Sequence, residues 1–189
     1  PYTTLFRSGI HLITLARMGI GAFNIADPDA FEVANFNRQY GARIDTIGRS
    51  KIQVMKAEAL KINPELDIRT FDAPIDAGNV EEFLDGAEIL VDGVDFYAME
   101  ARRLAFATAR ANHLWGVTVG PHAFSASWLA FSPSGMSFDR YFDLSDKMDA
   151  TDQIVAFAVG GTPSPIHLKY LNLATYFRPQ SRAAASLGL

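Results

Sequence analysis

Residues 15–39 read LARMGIGAFNIADPDAFEVANFNRQ, and this stretch decides the fold of the chain. It begins at the end of an apolar segment, residues 9–18, whose hydrophobicity nearly all round predicts a buried helix. Gly19 and Gly21 are typical of a helix end. The short apolar run that follows closes on Asp27, which predicts a buried strand ending in an acidic residue. A helix, a buried strand and a long polar connection are therefore expected in this order.

Helices and strands continue to alternate along the rest of the chain. Ser50 caps a predicted helix, which Asn63 and Pro64 end. Apolar runs predict further strands at 67–71, 88–91, 115–119 and 125–131, with helices between them at 79–84 and 97–111. This alternation predicts βαβ units, and so an α/β fold with a mostly parallel sheet and helices on both faces.

The composition narrows the class of protein. Of the 189 residues, 49% are hydrophobic and 20% are charged, which is the balance of a globular domain. The net charge of −4 argues against a surface for nucleic acid or anionic membrane. The absence of cysteine excludes disulfides, a zinc–thiolate site and a cysteine nucleophile from this chain. No apolar run reaches the roughly 18 residues of a membrane span, and no signal peptide is visible, so we expect a cytoplasmic protein.

Residues 1–8, PYTTLFRS, stand apart from the rest of the sequence. They can be back-translated into CCC TAC ACG ACG CTC TTC CGA TCT, the end of a common sequencing adapter. We therefore interpret them as a library artefact fused to a truncated gene, and we exclude them from the fold prediction. A native extended segment is the alternative.

Three groups of polar residues are expected at the carboxyl ends of the strands, where open α/β sheets bind ligands. Asp27 is placed to accept hydrogen bonds from ribose hydroxyls, or else it is a turn aspartate. Asn35 and Arg38, followed by Lys51, bring an amide and two cations that suit a triphosphate, or else they form a solvated loop. Asp95, after another strand, suits Mg²⁺ beside phosphates, and it is also well placed to cap the next helix.

Taken together, these motifs resemble the ThiF/MoeB/HesA family, whose fold is that of the enzymes that activate ubiquitin-like proteins. The matching motifs keep the family's order and spacing over about residues 9–131, and they are LARMGIG (15–21), DPDAFEVANFNRQ (27–39), IGRSK (47–51), NP (63–64) and VDGVD (91–95). The whole set is far more specific than any one of these elements.

The resemblance implies a Rossmann-like domain that binds ATP and adenylates a carboxylate. It assigns Asp27 to the ribose, Asn35, Arg38 and Lys51 to the phosphates, and Asp95 to Mg²⁺ and the surroundings of the attacking carboxylate. Arg38, Lys51 and Asp95 would then be catalytic. The carboxylate attacks the α-phosphate, and an acyl-adenylate and pyrophosphate are formed. The implied substrate is the C-terminus of a ubiquitin-like protein, a peptide or a small acid, and a homodimer is expected for the full-length protein.

The sequence departs from the family pattern at four points. We expect the first strand and the Gly-rich loop that should precede Gly9 to be missing, so that residues 9–132 would form an N-terminally truncated nucleotide-binding domain. Ala34 stands where the family has serine, and Phe96 where an asparagine often follows the metal-binding aspartate. The cysteine pairs of a zinc site and an acceptor cysteine are also absent.

Two other functions remain open at this stage. An NAD-dependent oxidoreductase would share the sheet and the acidic residue after its strand, but it does not need the two cations. A non-catalytic Rossmann-like binding module is the third possibility. Residues 133–189, rich in Asp and aromatic residues at first and without a clear period, predict a loop-rich substrate segment or the start of a second lobe, with a helix at 166–176.

Overall fold

A computed structural model describes residues 2–6, 9–122, 125–162 and 164. The strands of the described chain are β1 (Tyr2–Phe6), β2 (Ala22–Ala26), β3 (Asp67–Phe71), β4 (Ala87–Asp92), β5 (Trp115–His122) and β6 (Ser125–Phe131). The helices are α1 (Gly9–Arg17), α2 (Lys51–Leu60), α3 (Val80–Leu84), α4 (Met99–Ala111), α5 (Phe138–Tyr141) and α6 (Ala150–Gly160).

The predicted α/β class is confirmed by the sheet. Its strands lie in the order β3-β2-β1-β4-β5-β6, and every neighbouring pair is parallel except β5 with β6. The chain runs outward from β1 through β2 to β3, then crosses back to β4 on the other side of β1. This order is that of a Rossmann-like doubly wound sheet, with its switch point at β1 and β4.

Helices cover both faces of the sheet, as predicted. Alternate residues of β2 face opposite sides, because side chains of a strand alternate. Phe23 packs with α1 and α2 in one buried cluster, whereas Ala26 packs with α3 and α4 in the other. No helix among the described residues has both the length and the hydrophobicity needed to cross a membrane.

The expectation that the sheet lacks its first strand is wrong. Tyr2–Phe6 forms β1, which occupies the position of the first strand in the centre of the sheet. Leu5 pairs with Ile25 on one side and with Val91 on the other. Without this strand, β2 and β4 would present unpaired backbone groups to each other in the middle of the sheet, which is costly. The segment YTTLF suits the position, since threonine and aromatic residues favour strands. The adapter origin of residues 1–8 stays a prediction.

The helix boundaries follow local signals. Ser50 caps α2 as predicted, and its hydroxyl accepts the backbone N–H of Gln53. Gly41, in the connection before α2, has a φ of +94°, which glycine adopts readily. A Cβ at this position would lie 2.9 Å from Met55 Sδ, so the connection packs closely on α2.

Residues 133–162 contain more regular structure than the predicted loop-rich segment. Asp149 caps α6, and its carboxylate accepts the backbone N–H of Asp152. Phe138 and Phe142, in and after α5, join the same buried cluster as Phe106 of α4. The sequence pattern did not predict α6, because its apolar residues follow one another without the spacing of an amphipathic helix. The helix predicted at 166–176 falls outside the described residues.

Candidate functional site

The carboxyl edge of the sheet carries the two predicted acidic residues on either side of β1. Asp27 comes directly after β2, and Asp95 follows β4. Both strands pair with β1, so the two residues flank the switch point, where doubly wound folds bind their ligands. The topology thus brings together the parts of the site that lie far apart in the sequence.

Asp27 is buried and shapes the turn after β2. Its Oδ1 accepts the backbone N–H of Asp29 at 3.0 Å. The Asp29 carboxylate lies 3.1 Å from Lys51 Nζ, and the Asp29 carbonyl accepts the Lys51 N–H at 2.9 Å. An antiparallel bridge between Ala30 and Ser50 places the two segments side by side. Lys51, predicted to bind phosphate, therefore lies beside the turn formed by Asp27, which was predicted to bind the ribose.

The Lys51 side chain is nearly buried, with 10% exposed, at the first position of α2. A cation is disfavoured at a helix N-terminus, and burial adds a desolvation cost. Asp29 offsets both, and an anion bound at this edge would do the same. The ammonium group of Lys51 therefore lies at the N-terminus of α2, and a helix N-terminus is a place that favours bound anions.

Asn35 and Arg38 both lie in the connection that follows Asp27, but their side chains have different environments. Asn35 is buried, and its Oδ1 accepts the backbone N–H of Glu32 at 2.9 Å, which closes a short 3₁₀ turn. Arg38 is exposed, and its Nη1 donates to the Ala34 carbonyl at 2.9 Å and to Asn37 Oδ1 at 3.0 Å. The turn built by Asn35 holds the backbone of Arg38, because the Arg38 N–H donates to the Asn35 carbonyl.

Asp95 is exposed in the loop between β4 and α4. Its Oδ1 accepts the backbone N–H of Tyr97 at 3.1 Å. The alternative that Asp95 caps α4 is wrong, because α4 starts at Met99 with Ala98 as its N-cap, and no side chain caps it. Burial, and then the negative charge of Asp95, raise the pKa of Tyr97 above its ordinary value.

A buried ion pair that the sequence reasoning missed lies next to this loop. Arg102 of α4 donates from Nε to Asp92 Oδ2 at 2.8 Å, and the two side chains are 4% and 2% exposed. The hydroxyl of Thr118 on β5 donates to the same carboxylate oxygen at 2.7 Å. Asp92 Oδ1 accepts the backbone N–H of Val94 at 2.9 Å. Buried charges need this degree of pairing and hydrogen bonding to be tolerated.

A signal for Arg102 was present in the sequence. Met99, Ala105 and Ala109 form part of the buried stripe of α4, and position 102 lies on that stripe at helical spacing. An arginine on the buried stripe of a helix needs a partner. In the fold, this partner is Asp92, the last residue of the preceding strand.

A cleft of about 760 Å³ opens at the start of α4, on the side of α5 and α6. It contains none of the predicted site residues. Arg103 lines it, and the Arg103 guanidinium donates to Asp139 at 2.7 Å and to Asp146 at 2.8 Å. These two carboxylates raise the pKa of Arg103 further above its usual range, with the hydrogen bond to Asp139 as the larger cause.

The described residues contain no group of three or more histidine, aspartate or glutamate side chains that could cage a metal. Mg²⁺ does not need such a cage, because it usually keeps several waters and binds through one or two carboxylates plus substrate phosphates. Asp95, exposed at the carboxyl edge of the sheet, fits that mode of binding.

Known proteins resemble this chain in both sequence and fold. The sequence profile of the ThiF family matches residues 9–170. The tRNA threonylcarbamoyladenosine dehydratase of Haemophilus influenzae is 34% identical over 107 residues, which are 56% of this chain and 40% of that protein. The adenylyltransferase and sulfurtransferase UBA4 of Scheffersomyces stipitis is 29% identical over 84 residues, 44% of this chain and 19% of that protein.

A solved structure extends this likeness to a nucleotide complex. The Escherichia coli tRNA N6-threonylcarbamoyladenosine dehydratase TcdA, in complex with ATP, is 25% identical with a TM-score of 0.58. The match covers 66% of this chain and 58% of that one. This chain thus spans less than two thirds of each protein compared.

Proposed function

The chain belongs to the ThiF family, and on this basis we propose that it forms the nucleotide-binding part of an enzyme that adenylates a carboxylate with ATP. One observation supports the proposal most strongly. Lys51 is held within 3.1 Å of Asp29, beside the Asp27 turn and at the carboxyl edge of a doubly wound sheet. A plain surface lysine would not be buried there.

The proposed reaction needs positioning and charge neutralisation rather than covalent catalysis. A carboxylate oxygen of the substrate attacks the α-phosphorus of ATP, the bond to the β-phosphate oxygen breaks, and pyrophosphate leaves. Asp27 is assigned to the ribose hydroxyls. Lys51 and Arg38 neutralise negative charge on the phosphates, and Asn35 completes the phosphate-binding loop.

Asp95 is assigned to Mg²⁺ on the opposite side of β1. The metal, when bound, would draw charge from the phosphate oxygens and so favour departure of pyrophosphate. Asp95 lies close to the start of α4, whose positive end favours the negative charge of an approaching carboxylate. The carboxylate is proposed to belong to a small ubiquitin-like protein, a peptide or a small acid.

We also propose that the complete protein is a homodimer. The support comes from the face of β5 and β6 on which Trp115 and Trp128 are 50% and 70% exposed. Val119 shares this face, because it pairs directly with Trp128 in the strand register. Exposed apolar patches of this kind mark interaction surfaces.

The proposed function predicts the DNA upstream of the Gly9 codon. These native codons should encode an apolar strand and a G-x-G-G-x-G-like loop, since such a loop supplies backbone N–H groups to phosphates at a helix N-terminus. Sequencing the source DNA through this point is the measurement. Native codons for PYTTLFRS, and so no glycine loop between the first strand and Gly9, would contradict the adapter interpretation and weaken the proposal of ATP binding.

Asp27→Ala should weaken ATP binding by the complete protein about tenfold to a hundredfold. The reason is that a charged hydrogen bond to a ligand contributes on the order of 1.5–3 kcal/mol. Isothermal titration with ATP measures the change. Asp72→Ala is the matched control, because Asp72 is exposed and occupies the corresponding position after β3. We expect it to leave the affinity unchanged.

The same titration with NAD separates the other two functions. Tight binding of NAD without binding of ATP would favour an oxidoreductase. Binding of neither nucleotide would favour a non-catalytic module. We expect binding of ATP alone.

A further inference from the structure

We propose that Arg102 is the positioning residue for Asp95. Its guanidinium fixes the loop of residues 92–98 in the conformation that presents the Asp95 carboxylate at the edge of the sheet. This inference rests on the proposed function for the role of Asp95. The fixing of the loop rests on geometry alone.

The first step of the argument is the position of the hydrogen bonds of Arg102. Nη2 donates to the Val94 carbonyl at 2.6 Å, and Nη1 donates to the Phe96 carbonyl at 3.3 Å. These two carbonyls lie on either side of Asp95 in the chain. One side chain thus holds the peptide group that precedes Asp95 and the one that joins Phe96 to Tyr97, so it fixes the loop on both sides of the residue assigned to the metal.

The second step is that the guanidinium is itself anchored to the sheet. Asp92, the last residue of β4, binds Arg102 Nε and the Thr118 hydroxyl through one oxygen. Asp92 and Thr118 are opposite each other in the register of β4 and β5. The guanidinium is therefore attached to two hydrogen-bonded strands, and through it the loop is held to the sheet.

The third step is the exclusion of water. The Phe157 ring of α6 covers the guanidinium, with its centroid 4.4 Å from Arg102 Cζ. Phe96, which stands where the family often has asparagine, packs against the same ring at a centroid distance of 5.7 Å. Hydrogen bonds in such a dry, low-dielectric place are stronger than in water. The segment after β6 thus contributes to the site through α6.

The fourth step is that a lysine cannot replace the arginine. The guanidinium is a planar fork that reaches three acceptors at once, whereas an ammonium group is a compact charge on a flexible stem. Arg102→Lys keeps the positive charge for Asp92. It cannot reach the carboxylate and both flanking carbonyls together, so it tests geometry rather than charge.

The experiment compares Arg102→Lys with Arg103→Lys in the full chain. Arg103 is the neighbouring residue of the same helix, and its guanidinium donates to Asp139 and Asp146 instead of the loop. Hydrogen exchange is measured without nucleotide at the backbone amides of Val94 and Tyr97. We expect exchange at both to be about tenfold faster or more in Arg102→Lys and unchanged in Arg103→Lys.

The second readout is the affinity for ATP with Mg²⁺ and with EDTA. Arg102→Lys should lose about tenfold of the Mg²⁺-dependent gain in affinity, while its affinity for ATP in EDTA stays that of the parent. Thr118→Val, which removes one support of Asp92 and leaves the guanidinium in place, should show a smaller loss of the same kind. It serves as the test if Arg102→Lys does not fold.

The outcomes distinguish this inference from the proposed function. Equal exchange in the two lysine variants would overturn the fixing of the loop. Faster exchange with an unchanged Mg²⁺-dependent gain would make Arg102 a purely structural residue and would also overturn the inference. If the complete parent protein binds no ATP, the proposed function fails, whereas the exchange rates still decide whether Arg102 fixes the loop.

Discussion

Asp95→Ala and Arg38→Ala should each slow ATP–pyrophosphate exchange by the complete protein about a hundredfold. Each removes a charged group aimed at the place where charge develops during adenylation, and the loss of one such group costs on the order of 10²–10³ in rate. The exchange is measured with labelled pyrophosphate and a carboxylate that supports exchange by the parent protein. The ATP concentration is kept saturating, so that the rate rather than nucleotide binding is compared.

Two control variants keep this prediction specific. Asp85→Ala changes an exposed aspartate that precedes β4, whereas Asp95 follows it, so the control lies at the opposite edge of the sheet. Arg43→Ala changes a cation of the same connection as Arg38, whose partners are Asp45 and Glu58. Both should retain the exchange rate of the parent. Unchanged exchange in Asp95→Ala or Arg38→Ala would remove that residue from the catalytic set.

Asp92→Asn should destabilise the protein by about 3–5 kcal/mol, because it leaves the Arg102 charge buried without a counter-ion. This is a large share of the stability of a domain, which is typically about 5–15 kcal/mol. Equilibrium unfolding in urea measures the change. Asp45→Asn breaks an exposed ion pair with Arg43 and should cost no more than about 1 kcal/mol.

A double variant tests the physical reason for that loss. Replacing Asp92 with leucine and Arg102 with methionine removes both charges, and such replacements of a buried pair are often neutral or stabilising. The double variant should therefore be more stable than Asp92→Asn. If it is less stable than Asp92→Asn, the loss comes from packing and not from an uncompensated charge.

The two predictions concern neighbouring residues with different tasks. Asp92 is buried and carries the stability of the loop, whereas Asp95 is exposed and is assigned to the chemistry. We expect Asp95→Ala to unfold at nearly the same urea concentration as the parent, since surface substitutions cost little. A sequence run such as DGVD does not show which of its aspartates is buried, and the structure does.

The order of the strands and helices could be read from the sequence because each element carries its own signal. Ser50 marks the start of α2, and the apolar run 22–26 followed by Asp27 marks β2 and the edge of the sheet. These signals are local, so they survive without knowledge of the contacts. The motif spacing also placed Asp27 after β2, Lys51 at the start of α2 and Asp95 after β4.

Three elements of the described chain were not predicted, and they are β1, α5 and α6. The adapter interpretation excludes residues 1–8 from the fold prediction, so no strand is predicted at β1. It is a strand because the facing edges of β2 and β4 require a partner. The apolar residues of α6 follow one another from Ile154 to Val159 without an amphipathic stripe, and the helix is only partly buried, with Phe157 packed against the cluster that includes α4.

By itself, the sequence determined the fold class, the positions of most elements and the residue types at the carboxyl edge, because propensity, capping and hydrophobic period act over a few neighbouring residues. Only the tertiary structure decided that Lys51 pairs with Asp29, that Asn35 closes a turn, and that Arg102 binds the carbonyls of the two residues that flank Asp95. The physical reason is that a buried charge requires a partner to offset its desolvation, and the fold brings that partner from another part of the sequence.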